Sequence, residues 1–529
     1  MAVSSFPAPR GVLRKEEYKM ETKQVQFDII VVAGGMSGLC AAVAAAEKGM
    51  EVAVFEKSST MGGAANMGMG FFAVGSDIQR KQLDNLTVDE AFRQMMEYNH
   101  WRADARLIRK LYQQSGSTVK WIQDMGVEFL GAFPYFKDSN ATWHLPKVGN
   151  SNKPTERGAT ILIKAIYARA QELGVRFFFS TPVKQIVKDE EGYVTGVVAA
   201  SETETYEASA DAVIICTGGF GDNPQMIEEN LGYKHGEDLF SFRIPGLTGD
   251  GMRMAWEVGA GRSPMNIEMT YEAPGFPGGN VTDCLFRQPN LMVNYDGLRF
   301  INEEIMCNTP FTGNAINQQK KRTGISILTD EICDSYRGKG LDYLVHHKDG
   351  VFLVDNWRRY FDSYFSGTEG YSPEKAAAAA MMGLKDPNAQ MFFEADSLEE
   401  LADKVGINKE NFLATVEEYN AYCDSGRDEF FGKKPEFLKA IRGTKFYAMK
   451  YFPAGYGSLG GIKVNDNLQV VTQDGDPIPG LYGAGTDVCA IFGDTYNFYM
   501  PGSTMGFAIN SGRMAGSNAA DYLNSDAFE

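Results

Sequence analysis

Apolar residues near the N-terminus are spaced in a way that predicts a strand, a helix and a second strand. Residues 27–32 are mostly apolar and lead into a glycine-rich turn, residues 39–48 are mostly small, and residues 52–55 are again apolar. A short apolar run bounded by turn residues is typical of a buried strand. The order strand, helix, strand over this length predicts a parallel βαβ unit.

The same pattern continues further along the chain. Residues 158–178 predict a helix followed by a strand, residues 194–200 and 205–208 predict a small β meander, and residues 211–215 predict a buried strand that leads into a pair of glycines. Strands that alternate with helices in this way predict an α/β fold, in which a parallel sheet is covered on both faces.

Residues 266–452 differ from the segments on either side, because they are richer in aromatic residues and loops. We interpret residues 26–265 together with 453–529 as a Rossmann-like dinucleotide-binding domain, and residues 266–452 as an α+β cap domain inserted into it. Residues 1–25 are predicted to be a flexible tail. Two domains are in keeping with a chain of 529 residues.

The turn after the first strand has the composition of a phosphate-binding loop, with the residues Ala33, Gly34, Gly35, Met36, Ser37 and Gly38. Glycines let the backbone approach a pyrophosphate, and the N-terminus of the next helix faces its charge. An acid about 20 residues further on accepts a ribose hydroxyl, and Glu56 stands at that position. Ala33 replaces the first glycine of G-x-G-x-x-G, so it can make the turn only if its φ stays in a region that L residues adopt.

Composition and charge narrow the possible partners. The net charge of −17 argues against nucleic acid and against anionic membrane surfaces. The seven cysteines are scattered without a C-x-x-C pair, which argues against a disulfide framework or a zinc site and favours a reducing compartment. No apolar run has the length of a membrane span, and residues 1–24 have no apolar signal core. We therefore expect a cytoplasmic protein that holds no metal ion.

Several short motifs occur in the order found in one flavoprotein superfamily. They are the βαβ unit with Glu56, the glycine pair at 62–63, Thr-Gly-Gly at 217–219, Thr-Gly-Asp-Gly at 248–251, the segment 293–303, and the glycine-rich segments 479–485, 502–506 and 512–516. Together they resemble the FAD-binding flavoproteins of the fumarate reductase, succinate dehydrogenase and 3-ketosteroid dehydrogenase superfamily, over residues 26–525. The resemblance implies FAD, held non-covalently because residues 61–70 contain no histidine.

The resemblance also implies which residues contact FAD. Gly35, Ser37 and Gly38 would bind the pyrophosphate. Val183 would meet the adenine through its backbone, and Asp487 would lie near the ribityl chain. Residues 503–505, at a helix N-terminus, would face the pyrimidine oxygen of the flavin, where charge gathers on reduction. The full expected set is Ala33, Gly34, Gly35, Met36, Ser37, Gly38, Glu56, Lys57, Gly62, Gly63, Ala64, Ala65, Gly68, Met69, Gly70, Val183, Thr217, Gly218, Gly219, Asp250, Gly485, Asp487, Ser503, Thr504 and Met505.

Fumarate reductases hold two carboxylates with arginine and histidine, and these groups are missing from the corresponding positions. The position of the proton-donating arginine falls near Cys307 or Asn308, and that of the histidine is Gly457. A site without paired cations has little to offset the desolvation of a dicarboxylate. Residues 497–506 instead resemble the 3-ketosteroid dehydrogenase ending Tyr-x-x-Gly-x-Ser/Thr-x-Gly. By that resemblance the Gly502 N–H would contact a ketone oxygen and Tyr499 would be the acid/base, with Tyr456 as a second candidate.

We therefore expect an FAD-dependent oxidoreductase that reduces or desaturates a C–C bond conjugated to a carbonyl. The substrate would be a mainly apolar, ring-bearing small molecule, such as a ketosteroid or a polycyclic or phenolic compound. Tyr271, Phe276 and Phe286 are either an apolar substrate wall or core residues. A reductase of unsaturated carboxylic acids and a flavin electron-transfer subunit remain as alternatives. No second G-x-G-x-x-G follows a strand, so a separate electron donor or acceptor is expected.

Overall fold

The computed structural model describes residues 21–136, 138–150, 157–241, 244–274, 285–342, 384 and 389–525. The helices are α1 (Met36–Ala46), α2 (Asp77–Lys81), α3 (Val88–Tyr98), α4 (Ala105–Asp124), α5 (Ala159–Glu172), α6 (Pro224–Leu231), α7 (Asp250–Glu257), α8 (Thr309–Asn317), α9 (Asp330–Lys339), α10 (Leu398–Val405), α11 (Lys409–Ser425) and α12 (Ser503–Leu523). Short 3-10 helices cover Gly63–Met67, Glu303–Cys307, Lys320–Arg322, Pro435–Phe437 and Gly485–Val488.

The strands are β1 (Glu21–Val32), β2 (Val52–Phe55), β3 (Phe71–Phe72), β4 (Phe129–Phe133), β5 (Trp143–Pro146), β6 (Arg176–Phe178), β7 (Val183–Lys188), β8 (Val194–Ala200), β9 (Glu204–Ile215), β10 (Phe240–Ser241), β11 (Asn266–Glu272), β12 (Met292–Val293), β13 (Gly324–Thr329), β14 (Phe392–Ala395), β15 (Phe446–Leu459), β16 (Gln469–Val471) and β17 (Pro477–Gly483). They form sheets of eight, six and three strands.

The eight-stranded sheet contains a parallel core in the order β17, β9, β1, β2, β6. Ile29 lies between Val52 on one side and Ala212 on the other, and all three are buried. Helices α1 and α12 pack closely, because Gly512 and Gly516 have no side chains: a Cβ on Gly512 would lie 2.2 Å from the Ser37 carbonyl oxygen. The predicted α/β fold with a parallel sheet is confirmed.

Two predicted boundaries in this sheet are wrong. Strand β1 begins at Glu21, where it pairs with Glu204, so the predicted tail at 1–25 does not extend over residues 21–25; residues 1–20 lie outside the described part of the chain. The second strand of the predicted meander and the buried strand at 211–215 are one continuous strand, β9. Its first half is half-exposed and polar, which hid its continuity with the buried half.

The cap is built on the six-stranded sheet, in which β15 pairs with β10, β11, β13 and β14. The buried apolar residues form two clusters, and the change from the first to the second occurs between Met269 and Tyr271 and is reversed between Tyr451 and Leu459. An inserted cap of mixed α and β structure is therefore present, and we propose 266–452 as its limits. Tyr271 and Phe286 are fully buried core residues, while Phe276 lies outside the described residues.

The three-stranded sheet, in the order β3, β5, β4, packs beside the start of α12. The Phe72 N–H donates to the Gly502 carbonyl oxygen at 2.9 Å, which ties this sheet to the last helix. Across the residues that the structure describes, no helix combines the length and the apolar character that a bilayer crossing requires.

Candidate functional site

A cavity of about 640 Å³ connects the glycine-rich turn after β1 with the start of α12. It brings together most of the residues predicted from the sequence. Those on its wall are Ala33, Gly35, Met36, Ser37, Glu56, Lys57, Gly62, Gly63, Ala64, Ala65, Gly68, Met69, Gly70, Thr217, Gly218, Tyr456, Gly502, Thr504 and Met505. The predicted site residues that do not line it are Gly34, Gly38, Val183, Gly219, Asp250, Gly485, Asp487, Tyr499 and Ser503.

The glycines at the first end of the cavity are required by close packing. A Cβ on Gly34 would lie 2.2 Å from the Met61 sulfur, and Gly35 forms a parallel bridge with Gly62. The Gly62 N–H donates to the Gly34 carbonyl at 2.9 Å. The two loops are thus held together, with backbone rather than side chains facing the cavity.

Ala33 adopts a backbone conformation that the sequence did not predict. Its φ is +81°, so the expectation that φ stays in the usual L-residue region is wrong. The Ala33 N–H donates to the Phe55 carbonyl at 2.8 Å, which fixes one side of the peptide. Gly38 packs against the Ala33 carbonyl on the other side. The turn therefore keeps the shape that glycine normally supplies, with an alanine under strain.

Glu56 is buried at the end of β2 and forms part of the cavity wall. One carboxylate oxygen accepts from the Gly34 N–H and the other from the Ser58 N–H, each at 2.7 Å. These bonds fix the carboxylate and leave it further lone pairs for a hydroxyl in the cavity. This is the geometry expected of the acid that binds a ribose.

Asp487 supports the loop at 217–219 and does not line the cavity. Its fully buried carboxylate accepts from the N–H groups of Gly218 and Gly219, at 3.0 and 2.8 Å, and from the Thr217 hydroxyl. Burial raises the pKa of Asp487. The predicted contact with a ribityl chain is not supported, because these donors occupy the carboxylate. Its effect on the site passes through Thr217 and Gly218, which do line the cavity.

Other predicted cofactor residues also lie outside the cavity wall and contact neighbouring residues. Asp250 forms an ion pair with Lys57 at 2.8 Å, so it holds the lysine that lines the cavity. Gly485 packs on Ser37: a Cβ there would lie 2.5 Å from the serine hydroxyl oxygen. Val183 starts β7 and pairs with Ala199.

The second end of the cavity is the N-terminus of α12, a helix of 21 residues. Gly502 is the N-cap residue and has φ of +82°, a conformation that favours glycine. No side chain in the described part of the chain caps this helix, and Thr504 and Met505 line the cavity beside Gly502. The Ser503 hydroxyl donates instead to the Met500 carbonyl.

The two helix N-termini show that the cavity suits a dinucleotide such as FAD. Helix α1 is also uncapped by any side chain, with Gly35 at its N-cap. The first N–H groups of a helix have no partner within the helix, and they attract anions and developing negative charge. One such terminus meets the cavity at the glycine-rich turn and the other at Gly502. A pyrophosphate at the first and an electron-rich flavin edge at the second fit this arrangement.

Tyr499, the predicted acid/base, lies in an aromatic cluster outside the cavity wall. Its ring centroid is 5.4 Å from that of Phe136, 5.8 Å from that of Phe311 and 6.3 Å from that of Tyr98. Burial raises the pKa of the phenol. Because the ring packs among these aromatics instead of facing the cavity, the geometry does not favour the predicted role in catalysis.

A β-bulge between β11 and β15 aims other side chains into the cavity. Ile267 pairs with Ser458 and Met269 pairs with Gly455, so Glu268 alone faces both Tyr456 and Gly457. All three line the cavity. Bulges of two residues against one bend a strand and redirect side chains, and they are common beside active sites.

A buried ion pair lies on the same wall. The Arg287 guanidinium meets the Glu272 carboxylate at 2.7 Å and donates to the Tyr271 carbonyl, also at 2.7 Å. Its Cζ lies 4.2 Å from the centre of the Tyr271 ring. Both charged side chains are buried and face the cavity. The positive charge of Arg287 in the cavity is therefore balanced by the Glu272 carboxylate.

Sequence reasoning missed the residues that make up the substrate side. They are Glu268 and Glu272 on β11, Arg287, and the aromatic side chains Tyr135, Trp143, Tyr496 and Phe498. A signal existed in the acids at 268 and 272, which occur in a largely apolar segment with even spacing, as residues on one face of a strand do. The aromatic residues carried no such signal, because core and pocket aromatics look alike in a sequence.

Cys307, one of the two residues expected near the position of the family's arginine, lines the cavity as a neutral thiol. Burial raises its pKa to about 12, which argues against a nucleophilic role. Within the described ranges, no cluster of three or more His, Cys, Asp or Glu side chains is arranged to hold a metal ion.

Comparison with known proteins agrees with this geometry. The family model described as "FAD binding domain" matches residues 28–498. The chain is 31% identical to vinyl phenol reductase of Lactiplantibacillus plantarum, over 96% of this chain and 99% of that protein. It is 25% identical to the cytochrome-type fumarate reductase of Shewanella frigidimarina, over 94% and 77% respectively. A 3-ketosteroid-Δ4-(5α)-dehydrogenase from Rhodococcus jostii RHA1 has the same fold, with a TM-score of 0.70 at 23% identity over 97% of this chain and 99% of that chain.

Proposed function

Because the chain belongs to the FAD binding domain family and is an FAD-dependent oxidoreductase related to reductases of C=C bonds, we propose that it reduces the side-chain double bond of a phenolic substrate of the vinyl phenol kind. Electrons come from a separate donor, and FAD is bound non-covalently. The observation that carries the proposal is the Arg287–Glu272 pair on an otherwise largely aromatic wall.

The charge on this wall favours one polar oxygen over two carboxylates. A guanidinium balanced by Glu272 at 2.7 Å offers N–H donors without a net positive charge. A dicarboxylate would need two unbalanced cations to offset its desolvation. A single phenolic hydroxyl, or the phenolate formed from it, has no such need and can be held by the pair.

The aromatic side chains suit a flat ring. Tyr135, Trp143 and Phe498 line the cavity, with the rings of Tyr135 and Phe498 4.0 Å apart and those of Tyr135 and Trp143 5.5 Å apart. Such surfaces stack on a ring and exclude water from it. In a vinyl phenol the hydroxyl is conjugated to the double bond through the ring, as a carbonyl is in an enone. The expectation of an activated double bond is thus retained with a different activating group.

The chemistry divides between the cofactor and the chain. Reduced FAD supplies a hydride at N5. Arg287 and Glu272 hold the phenolic oxygen, so that electron density reaches the outer carbon of the double bond, which takes a proton. The aromatic wall keeps the inner carbon, beside the ring, in position for the hydride.

A reoxidation assay tests the proposal. The purified protein is reduced chemically without air and mixed with 4-vinylphenol, with styrene, which lacks the hydroxyl, and with fumarate and urocanate. We expect rapid return of the oxidised flavin spectrum with 4-vinylphenol, formation of 4-ethylphenol, and slow reaction with styrene. Equal rates with styrene would contradict recognition of the hydroxyl. Reaction with the acids alone would make the protein a carboxylate reductase, and reaction with none would favour an electron-transfer subunit.

A further inference from the structure

Glu268 is an acid in the part of the cavity where the substrate and the flavin edge would meet. It stands on β11 opposite the bulge that carries Tyr456 and Gly457. The hydroxyls of Thr504, at the uncapped start of α12, and of Tyr496 lie beside it. Its side chain is half-buried and lines the cavity.

We propose that Glu268 is the proton donor of the reaction: its carboxylic acid gives a proton to the outer carbon of the substrate double bond while a hydride is added to the inner carbon. This inference rests on the proposed reduction of a vinyl phenol. One proton and one hydride together reduce the double bond by two electrons. The Glu268 carboxylate that remains takes a proton from solvent after the product leaves.

The surroundings of Glu268 keep a substantial fraction of the acid protonated near neutral pH. Burial raises its pKa to about 7, and the hydroxyls of Thr504 and Tyr496 oppose part of that rise. A general acid is most effective when its pKa lies near the working pH. Its position at a helix N-terminus also stabilises the carboxylate left after the transfer.

Among the described residues, the titratable groups coupled to Glu268 include Tyr456 on β15, and Cys489 and Tyr496 from the segment that precedes α12. The charged pair Arg287–Glu272 lines the same cavity and is also close to Tyr456. Burial raises the pKa of Tyr456, Cys489 and Tyr496, so they stay neutral over the range in which Glu268 ionises. Tyr456, the alternative donor, is therefore a much weaker acid than Glu268 in the same cavity. A change in rate near pH 7 that is lost in Glu268→Gln can then be assigned to Glu268 and not to these three groups.

The test compares Glu268→Gln, Glu268→Asp and Tyr456→Phe with the unmodified holoprotein. Glutamine keeps the size and the hydrogen-bonding capacity but has no acidic proton. We expect Glu268→Gln to keep its FAD and to lower the rate of reoxidation by 4-vinylphenol about 100-fold or more. The rate of the unmodified protein should fall tenfold per pH unit above 7, and the small residual rate of Glu268→Gln should not depend on pH. Glu268→Asp should retain part of the rate, because it still has an acidic proton.

A second readout does not depend on turnover. A carboxylate that forms beside the flavin should shift the absorption spectrum of the oxidised holoprotein, with a midpoint near pH 7 that Glu268→Gln lacks. Glu257→Gln, at an exposed position at the end of α7, is the matched control and should keep the shift and the rate.

The outcomes separate this inference from the function on which it rests. If the unmodified protein reduces 4-vinylphenol and Glu268→Gln does so equally fast, Glu268 is not the donor and the function stands. If the reoxidation rate of Tyr456→Phe no longer falls above pH 7 while that of Glu268→Gln still does, the donor is Tyr456. If no alkene reacts, the proposed function fails, and a missing spectral shift near pH 7 would then overturn the ionisation of Glu268 as well.

Discussion

The carbonyl oxygen of Ala33 lies 2.0 Å from the position that a Cβ on Gly38 would occupy. Helix α1 can begin here because residue 38 has no side chain, and the contact helps to hold the Ala33 peptide in its unusual conformation. The strain of a φ of +81° at an alanine is thus maintained by packing against the helix that the turn serves.

Replacing Ala33 by glycine should stabilise the protein. Alanine in the left-handed region costs about 1–2 kcal/mol, and glycine loses about 0.5–1 kcal/mol through the greater freedom of the unfolded chain. A net gain of about 1 kcal/mol is expected in the free energy of unfolding, measured by denaturant titration with FAD bound. Ala44→Gly, inside α1 with ordinary helical geometry, should lose about 1 kcal/mol. Equal losses in both variants would contradict strain at Ala33.

Gly502→Ala should disrupt the flavin end of the cavity. A Cβ there would lie 2.7 Å from the Phe72 nitrogen and 2.7 Å from Trp143 Cδ1, and φ is +82°. We expect a loss of at least about 2 kcal/mol in stability together with loss of bound FAD, measured by thermal unfolding and by the flavin-to-protein absorbance ratio. Gly232→Ala has a similar φ of +70° and open space around the Cβ, so it should cost about 1 kcal/mol and keep its FAD. Identical behaviour of the two variants would mean that the steric contact has no effect.

Filling the space at Gly457 should change which substrates fit. Among the residues that the structure describes, no atom lies within 4 Å of a Cβ at this position, which faces the cavity, and its φ is not in the left-handed region. Gly457→Leu should therefore fold, keep its FAD and raise the KM for phenols with bulky ring substituents about tenfold or more, with less effect on 4-vinylphenol. An unchanged KM across a size series would show that the substrate ring does not reach this part of the wall.

His144 should make stability depend on pH on the acid side of neutrality. Its Nε2 lies 2.7 Å from the Ser76 hydroxyl and its Nδ1 lies 2.9 Å from the Thr142 carbonyl oxygen. Burial lowers its pKa from 6.5 to about 4. Between about pH 6.5 and pH 4, His144 binds a proton in the unfolded chain but stays neutral in the folded protein. The free energy of unfolding therefore decreases as the pH falls through this range.

The loss from this one group should reach about 3 kcal/mol at pH 4. Denaturant unfolding from pH 8 to pH 4 measures it, and His144→Gln should remove that part of the slope. The comparison uses the difference between the two proteins at each pH, because other groups also titrate. A parallel pair of curves would show that His144 titrates with the same pKa in the folded and unfolded states.

The cofactor end of the site could be predicted from the sequence because its determinants are local. Gly35 and Glu56 are 21 positions apart within a single βαβ unit, and the strand register follows directly from the apolar runs. The bonds between Asp487 and the 217–219 loop could not be predicted from the sequence, because the sheet order brings that loop to the carboxylate. The φ of Ala33 likewise depends on the packing of α1 and is not encoded in its neighbours.

The substrate end could not be predicted in the same way. Glu268 faces Tyr456 only because β11 and β15 pair with a bulge, and more than 170 residues separate these strands. Arg287 and Glu272 meet across an intervening segment of the cap. Tyr499 matches the motif, yet its ring packs in the aromatic cluster with Phe136 and Phe311. The orientation of the ring depends on tertiary packing, which the motif does not contain.

Strand β15 has a consequence for the construction of chimeras with relatives. Its first half, including Met449 and Tyr451, belongs to the core of the cap, while Leu459 belongs to the core of the other domain and the Ser458 hydroxyl accepts from the Phe220 N–H. A cap transplanted from another member with a junction at 452 would divide this strand and reset the register of Tyr456 against Glu268. Exchange of substrate preference by grafting should therefore take the strand whole, with its junction beyond Gly461.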